Sequence, residues 1–289
     1  GAAGDEEWSN IYGNPNDRSD IYSVEQTLDG GYIIGGHSET RLTLLKIDSS
    51  GNEEWLNRYG SSNNYTFGDN TVRQTSDGGY IIAGKELVKT DASGNQEWIT
   101  GQILAKSVQI TPDTGYIVID GTSQANLIKF DSTGNEEWRK VITGLAQTEP
   151  TGRSVVTTPD GGYMILGGTP SVIILTKTDT LGDIEWSVNI GGTDNNYWGF
   201  SIQRTTDQGY IITGVVGDDI RSVLLLKVDS SGNEEWSNIF GTTSVYDAGY
   251  SVKQTSDEGY VIGGYTNSYG SGSSDMYLIK TDSEGNRIF

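Results

Sequence analysis

One histidine, His37, and no cysteine limit the chemistry open to this chain of 289 residues. Without Cys there is no thiolate nucleophile, no disulfide and no thiolate-bound metal. A zinc site of several His is excluded, and a His-based triad would have to be built on His37 alone. The sequence reads His37 as a surface residue just past a strand. Carboxylates are plentiful: 39 Asp and Glu stand against 19 Lys and Arg, a net charge of −20. Such a chain repels nucleic acid and anionic lipid, which need Lys and Arg to neutralise phosphate. Its acidity suits solubility first, and Ca²⁺, with its oxygen ligands, second. Asp20, Asp69, Glu149 and Asp247 are the carboxylates that could bind a cation and serve a calcium-dependent hydrolase acting on phosphate esters.

A second set of residues suits recognition better than reaction. Tyr22, Asn70, Lys106, Arg153, Phe200 and Tyr250 each stand just before a Ser or Thr. Three aromatics, two cations and an amide thus share one local position. Trp198 and Asp247 lie close by in sequence, as do Tyr197 and Tyr246. Aromatic faces with a few fixed polar groups fit a sugar or a peptide loop.

What holds these residues in equivalent places is a repeat. A signature Q-T-x-D-G-G-Y-I-I-x-G recurs six times, with its Tyr at Tyr32, Tyr80, Tyr116, Tyr163, Tyr210 and Tyr260. A second, K-x-D-x-x-G-N-E-E-W, follows each one. Its Lys are Lys46, Lys89, Lys129, Lys177, Lys227 and Lys280. Runs of β-branched and aromatic residues between Gly and Asp clusters are strand signals, and each unit reads as four short strands. In Asp29-Gly30-Gly31 the Asp can bond the backbone ahead of it and Gly accepts positive φ. Asp48-Ser49-Ser50-Gly51 reads as a type I turn closed by a left-handed Gly. The Lys of each third strand faces the Glu-bearing fourth strand, a cross-strand ion pair.

Four antiparallel strands per unit at this period predict an all-β, six-bladed β-propeller. Residues 1–289 form one domain, with repeats near 13–55, 60–98, 102–138, 144–186, 191–236 and 241–289. Trp8, Trp55, Trp98, Trp138, Trp186 and Trp236 are structural residues packing one blade on the next. Gly4–Trp8 duplicates Gly232–Trp236, so the segment 4–12 is an N-terminal strand expected to close the last blade. The turns at one end of the units are short and uniform. Those at the other end differ in every unit, which is where recognition can be placed.

The two signatures resemble the repeats of archaeal and bacterial cell-surface β-propellers, and the tryptophan-docking blades of quinoprotein-like propellers. The resemblance spans the whole chain and implies an extracellular or cell-surface location. Quinoprotein dehydrogenases of that larger group have eight blades and a vicinal Cys pair. Six blades and no Cys therefore imply no quinone cofactor. Thr75, Asp77 and Gly79 are similar to the Asp-box of sialidases, itself a turn motif, but the nine Arg are scattered without regular spacing. The sequence expectation is a monomeric, non-catalytic binding module. It takes a glycan or protein ligand on the variable face and needs no cofactor, no nucleic acid and no membrane insertion. The alternatives are the calcium-dependent hydrolase and a structural spacer within a larger surface protein.

Overall fold

The computed structural model describes residues 8–13, 19–38, 41–60, 72–121, 125–143, 152–192, 196–218, 220–242, 245–270 and 274–288. All regular structure among them is β, in six antiparallel sheets whose strands pair in sequence order. These are the blades of a six-bladed β-propeller. Blade one runs Ser19–Gln26, Tyr32–Ser38, Arg41–Ile47 and Glu53–Tyr59. Blade five runs Tyr197–Arg204, Tyr210–Val216, Ser222–Val228 and Glu234–Phe240. Blade six shows three strands, Asp247–Gln254, Tyr260–Thr266 and Asp275–Thr281. Residues 4–7, which carry most of the duplicated N-terminal motif, lie outside the described residues. At the other end Arg287 bridges Thr281, and the Ile288 amide donates to the Lys280 carbonyl at 2.7 Å. No helix of the described residues is long and apolar enough to cross a membrane.

The chain divides into two compact units, blades one to three and blades four to six. In the first, Ile33, Leu42 and Leu44 of blade one pack on Val72, Tyr80 and Ile82 of blade two. In the second, Leu166, Ile173 and Leu175 of blade four meet Tyr210, Ile212 and Leu226 of blade five. Alternate strand residues face opposite neighbours, so both faces of a blade are apolar and the strands read as nearly continuous hydrophobic runs.

The repeated Trp packs on the turn of the following blade. A Cβ on Gly94 would stand 2.8 Å from the Trp55 ring, and one on Gly134 2.7 Å from the Trp98 ring. The same holds for Gly232 against Trp186 and Gly285 against Trp236. Those glycines also have positive φ, so both the turn and the indole exclude a side chain. Two residues that the sequence reading did not single out complete the contact. Asn57 Nδ2 and the Tyr59 hydroxyl both donate to the Gly94 carbonyl, at 3.1 and 2.7 Å. Trp8, Asn10 and Tyr12 repeat this on Gly51 of blade one, with donor distances of 2.8 and 2.6 Å. The five Trp on fourth strands are half-buried, Trp138 included, and Trp8 is 40% exposed.

Within each blade the Lys is the hub. In blades one to five the residue is at most 7% exposed. Its ammonium meets two carboxylates at 2.7–2.9 Å, such as Asp29 and Glu54 on Lys46, or Asp207 and Glu235 on Lys227. Lys280 of blade six pairs with Asp257 at 3.0 Å. A buried charge is costly unless paired and hydrogen-bonded. The Glu reaches the Lys because it is a bulge residue: Lys46 pairs with Trp55 and Ile47 with Glu53, leaving Glu54 over. The sequence foresaw this Glu but not the Asp, which arrives from the first turn. Thr27 and the Gly31 amide hold that Asp in place. The second glycine of the turn is fixed by crowding. A Cβ on Gly31 would stand 2.3 Å from the Ile47 carbonyl oxygen and 2.7 Å from Lys46 Nζ. The first needs only positive φ, and Thr114, Gln208 and Glu258 fill that slot in blades three, five and six.

Two outcomes follow from this scaffold. Gly31→Ala should lower the urea midpoint by the equivalent of more than about 2 kcal/mol, since backbone must move. Gly30→Asn should stay within about 1 kcal/mol, because Asn tolerates the left-handed region and nothing stands within 4 Å. Equal effects would contradict the distinction.

The second outcome concerns acid. Hydrogen bonds from Thr27 and Lys46 hold Asp29 at about 2 instead of the usual 3.8. For Asp77, Asp113, Asp160 and Asp207 burial pushes upward, but the Lys and Thr hydrogen bonds outweigh it and the value is again about 2. These carboxylates protonate more readily in the unfolded chain. Their stabilisation is therefore present above about pH 4 and is lost as pH falls toward 2. Urea midpoints measured across that window should fall, and should fall less steeply in Asp113→Asn. A midpoint constant down to about pH 2 would refute this.

Candidate functional site

The variable position of the repeat is a β-bulge. On blade one, Ile21 pairs with Gly36 and Ser23 with Gly35, so Tyr22 is left over. Lys106, Arg153, Phe200 and Tyr250 are left over in the same way in blades three to six. Asn70 lies outside the described residues. A bulge breaks the alternation of faces and re-aims one side chain. The glycine of Y-I-I-x-G makes room for it. A Cβ on Gly36 would meet the Asp20 carbonyl oxygen at 2.1 Å, and on Gly214 that of Trp198 at 1.8 Å. One backbone feature thus presents unlike side chains at the same place in five blades.

In the first unit the bulge brings Tyr22 to His37. The Tyr22 hydroxyl is hydrogen-bonded to His37 Nε2 at 2.9 Å, and the rings lie 5.2 Å apart. Asp20, directly opposite His37 in the strand register, places Oδ2 3.8 Å from Nε2. Contrary to the sequence expectation, His37 is not a surface residue. It lies within the second strand and is 6% exposed, because the strand continues through Ser38. A cavity of about 280 Å³ beside it is lined by Asp20, His37, Ile34, Leu45, Arg58 and Tyr12 among others. Arg58 Nη2 donates to Ser38 Oγ at 3.3 Å. Lys106, on blade three, is half-buried.

In the second unit the bulge residues join a closed circuit of seven side chains. The Arg153 guanidinium lies over Trp198 at 5.5 Å and over Phe200 at 4.9 Å. Arg221 lies over Trp198 at 5.3 Å and over Tyr246 at 5.2 Å. Tyr246 stacks on Tyr265 at 5.5 Å, Tyr265 touches Tyr250 at 5.8 Å, and Tyr250 stacks on Phe200 at 5.1 Å. Burial and the neighbouring Tyr246 and Tyr250 hydroxyls hold the Tyr265 hydroxyl well above its ordinary range. Phe200, Val215 and Ala248 form the buried floor. Tyr250 is 39% exposed. Trp198 is a strand residue, half-buried, packed on that floor. Its indole Nε1 is buried and meets no hydrogen-bond partner among the described residues. The sequence singled out Arg153, Trp198, Phe200 and Tyr250. It missed Arg221 and Tyr265, which arrive from the connection before the third strand of blade five and from the second strand of blade six.

The carboxylates proposed for a cation are differently placed. Asp69 and Glu149 lie outside the described residues. Asp247 is fully buried and accepts hydrogen bonds from the hydroxyls of Thr266 and Ser268 and the amides of Asn267 and Ser268. Burial raises its affinity for a proton, but those donors outweigh it and keep it ionised. They also use its oxygens to fold the loop after the second strand of blade six. Among the described residues no three His, Asp or Glu gather as a metal group would.

No known family matches the chain, and no curated protein resembles it in sequence. Solved structures do resemble it in fold. Streptogramin B lyase superposes with a TM-score of 0.62 at 10% identity, over 91% of this chain and 84% of the other. A protein of unknown function from Bacteroides caccae gives 0.60 at 14%, over 86% and 88%. The Dos1 propeller gives 0.59 at 16%, over 93% and 68%. At these identities the likeness is one of fold.

The packing of Trp198 changes what its removal should do. Sequence position alone predicts little effect on folding. The structure predicts that Trp198→Ala costs about 2 kcal/mol, less than a fully buried Trp, through lost packing and two lost cation–π contacts. Denaturant unfolding measures it, and an unchanged midpoint would show that the circuit contributes nothing to the fold.

Proposed function

We propose that this protein is a non-catalytic binding module of the cell exterior, recognising a glycan or a protein segment at the variable ends of its blades. The observation that carries this reading is the bulge. Five blades of one repeated scaffold use the same backbone irregularity to present Tyr22, Lys106, Arg153, Phe200 and Tyr250. A purely structural spacer has no need of different side chains there. Blades four to six supply the binding surface, where aromatic rings and guanidinium groups lie in one contiguous patch. Exposed Tyr250, backed by Phe200, is its contact ring, a rigid aromatic of the kind that anchors interfaces. Aromatic platforms with a few oriented donors are the usual furniture of sugar sites. The surface location rests on the resemblance of the repeats to those of cell-surface propellers.

A glycan array probed with the purified protein tests this. A retained glycan should lose about 1–3 kcal/mol of affinity on Tyr250→Ala, with little change in melting temperature. Trp138→Ala should do the reverse, lowering stability while sparing affinity. Binding indifferent to Tyr250→Ala would remove the site from this patch.

A further inference from the structure

We infer that blade six recognises blade one of the same chain through a matched pair of side-chain volumes, with Gly263 as the hole and Ile21 as the knob.

The pairing is built into the repeat. One position is the third residue after the motif tyrosine, on each second strand. The other is the residue just before the first-strand bulge of the following blade. Where successive blades pack within one unit, the two positions meet. A Cβ on Gly199 of blade five would stand 2.8 Å from Leu166 of blade four. A Cβ on Gly249 of blade six would run into the Thr213 hydroxyl of blade five. Ala83 of blade two and Ala105 of blade three are buried in one cluster. A close-packed interior has no room for two large groups at one place, and it loses contacts where both are missing. Leu, Thr and Ala are therefore matched by Gly, Gly and Ala. The sequence keeps the rule where Ile119 of blade three is followed by Gly152 of blade four. It inverts the order where the first member is glycine, since Gly35 of blade one is followed by Asp69. Gly263 of blade six is such a first member. The large apolar residue that stands before a bulge is Ile21 of blade one.

Both members of this pair are open. Nothing stands within 4 Å of a Cβ on Gly263, and Ile21 is 64% exposed. The surfaces around them are open as well. Val24 of blade one is exposed, whereas its counterparts Val72, Val108, Val155, Ile202 and Val252 are buried. Met276 of blade six is 97% exposed and Leu278 is exposed beside it. Their counterparts in blade five, Val223 and Leu225, are fully buried against blade six. Charge agrees with this match. Among the described residues Lys280 meets one carboxylate, that of Asp257, where each other hub lysine meets two. Glu7 stands in the N-terminal motif where Glu235 stands in the fourth strand of blade five. Trp8, next to it, lies on Gly51 of blade one as a fourth-strand Trp lies on the blade after its own. One chain carries both faces, so each meets the other at a far higher effective concentration than a second copy could supply.

A double-mutant cycle on the full chain, read by thermal unfolding, tests the pair. Gly263→Leu sets two large groups at one place and should lower the melting temperature by about 4 °C or more. Ile21→Gly should lower it by a smaller amount. The double variant restores one knob and one hole, the combination that Leu166 and Gly199 already make, and should melt above Gly263→Leu alone. If Gly263→Leu does not fold, Gly263→Ala with Ile21→Val carries the same cycle. Additive losses would show that the two residues do not meet, and would overturn the inference. Sedimentation should find the wild type and the double variant monomeric. A dimer, or a melting temperature that rises with protein concentration, would put the pair between copies and overturn blade one of the same chain as the partner.

Discussion

The laying of an indole on the turn glycine of the next blade is the contact from which the rest of this structure follows. A single blade cannot bury either of its apolar faces. Trp55 on Gly94 and Trp98 on Gly134 fix how far each sheet slides over its neighbour, and the Asn and Tyr that bond the same carbonyl fix its rotation. The fit depends on an absent side chain, which is why the turn is G-N in every complete copy of the motif but one, where Gly182 precedes Asp183. The contact joins the outermost strand of one blade to the outer turn of the next. Core side chains such as Leu44 and Ile82 then interdigitate beneath it.

In blades one, three, four and five, two bulges divide the work of the sheet. The one on the fourth strand turns Glu54 and its counterparts inward onto a buried lysine. The one on the first strand turns Tyr22 and its counterparts away from the ladder. The former is chemically uniform, and the latter carries Tyr, Lys, Arg, Phe and Tyr in blades one, three, four, five and six. The same local irregularity stabilises the scaffold at one end and supplies diversity at the other. In blades four to six the diverse residues make contact with each other, and the arginine–aromatic circuit is part of the packing.

Much of this is legible in the amino-acid sequence. The blade count, the strands and the turns follow from periodicity and from the Asp and Gly that each turn requires. Tyr22 and its five counterparts could be picked out because they alone vary within a constant frame. The bulge that explains them could not, since one extra residue leaves no mark on composition. Asp29 reads in the sequence as a turn former only. Its bond to Lys46 crosses from the first turn to the third strand, a proximity set by the sheet and not by spacing. His37, followed by Ser-Glu-Thr, reads like the start of a loop, yet the strand carries it into a buried pair with Tyr22. Arg221 and Tyr265 belong to different blades, and nothing local distinguishes them from solvated side chains.

The lysine hub bears on how the protein behaves as a reagent. Of ten lysines, six are the hub residues, and five of these are nearly inaccessible and held by two carboxylates each. Amine-reactive dyes and surface-coupling chemistry would meet chiefly Lys85, Lys106, Lys140 and Lys253 besides the chain's own amino terminus. Lys106 is the bulge residue of blade three. Labelling or immobilisation through amines would thus be confined to a few sites, one of them at the first-strand bulge of a blade, and a protein fixed through that site would be held with that bulge covered.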